Sequence, residues 1–151
     1  MFNQQNKEND FESIAFQKFK DGDFLASIEL LLKQIKLKPN YNSYHVLGTA
    51  FLNTNQYEKA IYAYRKAISI SKEYQSYQGL GLSLLNIDNF TEAKIAFRNA
   101  ILTIDKNNLL GQSALYTNLA ETFEKEGKTN SAIRSQYCVY YNSSTKPIDF
   151  V

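Results

Sequence analysis

The chain has 151 residues and a formal charge of only +2, from 17 basic against 15 acidic side chains. That length supports one domain with a self-sufficient core, and the weak, unblocked charge gives no long-range field that would concentrate nucleic acid. A single cysteine, Cys138, excludes an intramolecular disulfide and a thiolate metal cage.

The N-terminal stretch, Met1-Phe-Asn-Gln-Gln-Asn-Lys-Glu-Asn-Asp10, is too polar for a signal peptide. No window approaches the apolar length of a transmembrane helix, so a soluble, cytoplasmic protein is expected. With two prolines and six glycines, and apolar residues recurring at spacings of three and four, the chain reads as all-α.

Taken in chain order, the elements repeat. Phe11-x-x-Ile14-Ala15 opens the first unit, followed by Gly22-x-Phe24, Ser27, Leu31 and Pro39. The second unit carries Tyr44-x-x-Leu47-Gly48-x-x-Phe51, then Tyr57-x-x-Ala60-x-x-x-Tyr64-x-x-Ala67. The third returns both patterns 33 residues later, as Tyr77-x-x-Leu80-Gly81-x-x-Leu84 and Phe90-x-x-Ala93-x-x-x-Phe97-x-x-Ala100. A fourth copy, Tyr116-x-x-Leu119-Ala120-x-x-Phe123 with Gly127 and Ala132, stands 39 residues beyond the third. The extra six positions fall within 105–112. They form a loop or lengthen the helices, and Leu109-Leu110-Gly111 at helical spacing favours the second.

Each unit therefore predicts a helix hairpin. Aromatic, Leu, Gly or Ala, and aromatic residues share one stripe of the first helix, where the small residue lets a neighbour approach closely. Ala, aromatic and Ala at i, i+4 and i+7 form the matching stripe of the second helix. Asp21-Gly22-Asp23, Asn53-Thr54-Asn55, Ile87-Asp88-Asn89 and Glu126-Gly127-Lys128 supply the turns between them.

This pattern resembles the tetratricopeptide repeat, whose signature is an aromatic, Leu-Gly, Tyr, then Ala, an aromatic, Ala and Pro over about 34 residues. The resemblance covers about 8–40, 41–73, 74–106 and 113–146. It departs in the first copy, where Lys18 replaces an aromatic and Ser27 and Gln34 replace the two alanines. In the last copy Thr129, Gln136 and Val139 break the pattern. Terminal repeats are expected to be atypical, because one face meets water. The resemblance implies a right-handed α-α superhelix of about four helix-turn-helix repeats.

No catalytic set is present. His45 is the one histidine, so two-histidine metal sites are excluded. Cys138 lacks a histidine base, and Gly79-Leu-Gly81 lacks the third glycine of a dinucleotide loop. Glu121 and Glu124 share a helix face that is expected to be solvated. The sequence therefore predicts no enzyme, no cofactor and no metal. Lys33, Lys36 and Lys38, and Lys59, Arg65, Lys66 and Lys72, read as solvated outer-face cations rather than a nucleic-acid surface.

By the resemblance, positions two, five, nine and twelve of each repeat line a concave groove that takes a peptide or helix of a partner protein. Here these are Asn9, Glu12, Phe16 and Phe19, then Asn42, His45, Thr49 and Leu52. Gln75, Gln78, Leu82 and Leu85 follow, then Ala114, Thr117, Glu121 and Glu124. The expected groove is neutral and amide-rich, with apolar pockets. The cations with which co-chaperone members clamp a terminal carboxylate are absent. The stretch Val139, Tyr140 and Tyr141 suggests homodimerisation or docking through the C-terminal repeat. The competing expectation is a structural subunit or assembly factor acting through its convex face or C-terminal end.

Overall fold

The turns set the architecture before any packing does. Gly22, Asn55, Asp88 and Gly127 all have positive φ, between 57° and 81°, at intervals of 33, 33 and 39 residues. Each is followed by the same reach-back bond: the backbone N–H of Asp23, Gln56, Asn89 and Lys128 donates to the carbonyl of Lys18, Phe51, Leu84 and Phe123 respectively, at 2.8–2.9 Å. This six-to-one closure ends a helix in a left-handed residue, which suits Gly, Asn and Asp. The turn triplets of the sequence are therefore the hinges of successive hairpins.

The computed structural model describes residues 5–128, with side chains from Phe11 onward. Seven helices occupy this span, and there is no strand among the described residues. They are α1 (Gln5–Lys20), α2 (Phe24–Leu37), α3 (Tyr41–Asn53), α4 (Tyr57–Ile70), α5 (Tyr74–Asn86), α6 (Phe90–Thr103) and α7 (Leu109–Lys125). Asp23, Asn40, Asn89 and Asn108 cap α2, α3, α6 and α7, their side-chain oxygens accepting from an N–H three residues on. Three complete hairpins and the first helix of a fourth are thus in view. The segment expected to form the fourth repeat's second helix, with Ala132, Cys138, Val139, Tyr140 and Tyr141, lies outside the described residues.

The insert lengthens α7. That helix has 17 residues where α3 and α5 have 13, and it begins at Leu109 rather than at the repeat-equivalent Ser113. Asn108 caps the added turn, and Gln112 Nε2 donates to the carbonyls of Asp105 and Lys106.

Every helix packs on the next, and the odd helices also touch one another in the order α1, α3, α5, α7. The backbones of α2, α4 and α6 stay apart, and only the Arg65–Glu92 ion pair reaches from α4 to α6 among the described residues. A layer whose members touch lies on the inside of a bend, so the odd helices form the inner layer and the even helices the outer one. Small residues allow the close approach: Ala60, Ala63, Ala67, Ala93, Ala96 and Ala100 are all buried.

Tyr64 is the main wedge. Its ring lies against Gly48 of its own hairpin and Gly79 of the next, and a Cβ at Gly79 would overlap the ring outright. Phe97 fills the equivalent place in the third hairpin, where a Cβ at Gly81 would come within 2.6 Å. In the first hairpin Leu31 takes this position, flanked by Ser27 and Gln34 instead of alanines, all three buried. Ser27 Oγ and Gln34 Oε1 have no hydrogen-bond partner among the described residues.

Candidate functional site

The inner face is built from residues at the same register on α3, α5 and α7. A polar ladder ties α1, α3 and α5 together. Ser43 Oγ donates to Glu12 Oε1 at 2.9 Å, joining the first repeat to the second. One repeat on, His45 Nδ1 lies 2.9 Å from Ser76 Oγ, whose hydroxyl donates to the Tyr41 phenol at 3.2 Å. His45 also stacks on Tyr41 and meets the edge of Tyr64. Burial holds its imidazole below the ordinary histidine value, which favours the neutral ring.

Thr49 is similarly engaged. Its hydroxyl donates to the His45 carbonyl and accepts from the Tyr64 phenol at 3.0 Å. Burial pushes the Tyr64 phenol up to about 12, so it remains a donor at any physiological pH.

The ladder stops at the third interval. Gln78 occupies the place of Glu12 and His45, but the residue opposite is Leu115, where Ser43 and Ser76 stand in the earlier repeats. Leu115 is buried in the core and offers no polar atom. Gln78 is half-buried and makes no hydrogen bond among the described residues. Its amide carries two donors and an acceptor that the fold leaves unused.

The remaining groove residues divide by what they touch. Asn42 and Gln75 are exposed and likewise have unengaged amides among the described residues. Leu52 and Leu82 are half-buried, packed against the core on one side. Leu85 is only 2% exposed and belongs to the core, so it presents no surface to a ligand. On α7, Thr117 is exposed but donates to the Ser113 carbonyl, and Glu121 pairs with Lys125 at 3.2 Å. Sequence reading missed Ser43 and Ser76, although their 33-residue separation carried the signal.

No group of three His, Cys, Asp or Glu side chains that could hold a metal exists among the described residues. Gly79 and Gly81, the pair nearest a dinucleotide loop, are filled by Tyr64 and Phe97. No described helix is long and apolar enough to cross a membrane.

Comparison with known proteins gives the same architecture. Residues 41–74 and 74–107 each match the family model of the tetratricopeptide repeat. No curated protein matches the sequence. Among solved structures, the 41-end form of MamA from Desulfovibrio magneticus RS-1 aligns with a TM-score of 0.82 at 15% identity, covering 90% of this chain and 75% of that one. A crystal structure of MamA protein gives 0.84 at 20% identity, over 92% and 74%. The Sgt2 TPR domain from Aspergillus fumigatus gives 0.71 at 20% identity, over 96% and 88%. At these identities the likeness establishes the fold.

Proposed function

The chain is a tetratricopeptide-repeat protein, and from that premise we propose that it is a non-enzymatic scaffold or adaptor that holds a peptide or helix of a partner protein on its inner face. The observation that carries this reading is the break in the polar ladder at Gln78. Buried or half-buried amides are normally satisfied within a fold; this one is unengaged, beside the half-buried Leu82 and the unengaged amide of Gln75. Such a combination suits a bound backbone, because an amide side chain both donates and accepts while the leucine receives an apolar side chain. Asn42, Leu52 and Leu82 extend the contact along the inner layer. His45 and Thr49 act by holding that layer in register. Thr117 and Glu121 complete the C-terminal end of the groove.

A cytoplasmic setting and homodimerisation through the C-terminal repeat belong to the same proposal. The alternative is a structural subunit or assembly factor acting through the outer layer. Tyr62 and Ile95 favour it, because they lie exposed at the same register of α4 and α6.

Affinity purification with mass spectrometry, run in parallel on the wild type and on Gln75→Ala/Gln78→Ala, separates the two. Loss of the co-purifying partner in the variant, with an unchanged melting temperature, is the expected result. Retention of the partner overturns the inner-face reading, and its loss from Tyr62→Ser/Ile95→Ser instead supports the outer layer.

A further inference from the structure

The helices alternate in direction and are joined by short turns, so the C-terminal ends of α2, α4 and α6 and the N-terminal ends of α3, α5 and α7 share one edge of the solenoid. We propose that this edge is a docking strip for an acidic amphipathic helix of a partner protein.

Two independent observations meet there. The first is apolar exposure. Leu37 ends α2, Ile70 ends α4, Leu102 lies one residue from the end of α6, and Leu109 and Leu110 open α7. All five are exposed, Leu102 at 81% and Leu110 at 85%, and none packs into either core cluster. The leucines of the insert therefore lengthen α7 without serving the interior. The opposite edge, made of the turns within hairpins, exposes two large apolar side chains among the described residues, Leu25 and Ile87.

The second observation is charge left unpaired. Lys36 and Lys38, Lys72, and Lys106 stand at the three successive turns of the same edge, and none has an ion-pair partner among the described residues. Elsewhere six cations are matched: Lys18 with Asp23, Lys33 with Glu29, Arg65 with Glu92, Lys94 and Lys128 with Glu126, and Lys125 with Glu121. Lys20, Lys59, Lys66 and Arg98 stand singly rather than clustered at one edge. Each turn of the edge thus carries an exposed apolar side chain and a lysine without an ion-pair partner among the described residues.

The spacing selects the occupant. Touching helices lie about 8–10 Å apart, so successive turns advance by roughly that distance. An α-helix rises about 10.5 Å in seven residues. A partner helix with an apolar residue at every seventh position would set one anchor at each turn, with flanking carboxylates facing the lysines. An anionic membrane fits less well. Glu73 and Asp105 sit in the same turns, so four lysines less these two acids leave +2, and the lysines only just reach the lower end of the roughly four to eight cations of a lipid-binding cluster.

The test uses a fluorescent, alanine-rich helical peptide of about three heptads with leucine at every seventh position and glutamates on either side. A second peptide carries lysine for glutamate, and vesicles of phosphatidylserine and phosphatidylcholine serve as the lipid probe. The glutamate peptide is expected to bind saturably. Leu102→Ser/Leu109→Ser/Leu110→Ser, and separately Lys38→Glu/Lys72→Glu/Lys106→Glu, should each weaken it about tenfold or more. Gln78→Ala, on the inner face, should leave it unchanged. Leu110→Ser alone keeps the apolar arm decisive if the triple variant loses its fold. The proposal is overturned if the glutamate peptide fails to bind, if the lysine peptide binds equally well, if Gln78→Ala abolishes binding, or if only the vesicles bind.

Discussion

The first and second hairpins solve the same packing problem with different side chains. At the centre of α4 the aromatic Tyr64 lies between two buried alanines, its ring against Gly48 and Gly79 and its phenol bonded to Thr49. At the centre of α2 the equivalent residue is Leu31, with Ser27 and Gln34 in place of the alanines. Both interiors are closed to water, yet only the second satisfies its polar atoms. The difference teaches that a repeat's register can survive substitutions that its energetics do not favour, because neighbouring hairpins supply most of the constraint.

Truncating the wedge should break the comparison most severely. Tyr64→Ala removes a fully buried ring shared by two hairpins, and an aromatic-to-alanine loss of about 3–5 kcal/mol is expected in urea unfolding. Gly79→Ala attacks the same contact from the other side. Overpacking against the ring should cost about 1–3 kcal/mol, and the loss should shrink in a Tyr64→Leu background, where the double-mutant cycle reports the coupling directly. Independent, additive losses would show that the ring and the glycine do not share one space.

The first hairpin should respond in the opposite sense. Ser27→Ala restores the alanine of the other repeats and removes an unpartnered buried hydroxyl, so stability should rise by about 1 kcal/mol, read as a higher urea midpoint at unchanged slope. A fall would mean that the hydroxyl has a partner in solution.

The smallest effect is the pH response of the ladder. Burial lowers the His45 value in the folded state, so the unfolded chain binds the proton more readily. Stability is therefore complete above the ordinary histidine value of about 6.5 and declines as pH falls below it. The urea midpoint should be lower at pH 5.5 than at pH 7.5, and His45→Gln should flatten that difference. His45 is the chain's single histidine, which makes the assignment direct.

Much of the fold was legible in the residues because it is local and periodic. The left-handed turns at Asn55 and Asp88, the alanine stripes, and the 33-residue period all follow from side-chain size and backbone preference within one hairpin. The candidate site was less legible. Position in the repeat predicted an inner-face role for Leu85, His45 and Thr49 alike. Leu85 turns into the core, whereas His45 Nδ1 and the Thr49 hydroxyl are engaged by Ser76 and Tyr64.

The sequence by itself determined that this protein is an array of helix hairpins and where the hairpins turn. Tertiary structure alone decided which polar groups remain unengaged. Gln78 lost its partner because Leu115 stands across from it 37 residues away, and Gly79 is constrained by a ring from the preceding hairpin. Lys72 and Lys106 look no different in sequence from Lys94, which pairs with Glu126 of the next repeat. Their freedom depends on which carboxylates the packing brings within reach, and that is settled only when separate repeats meet in space.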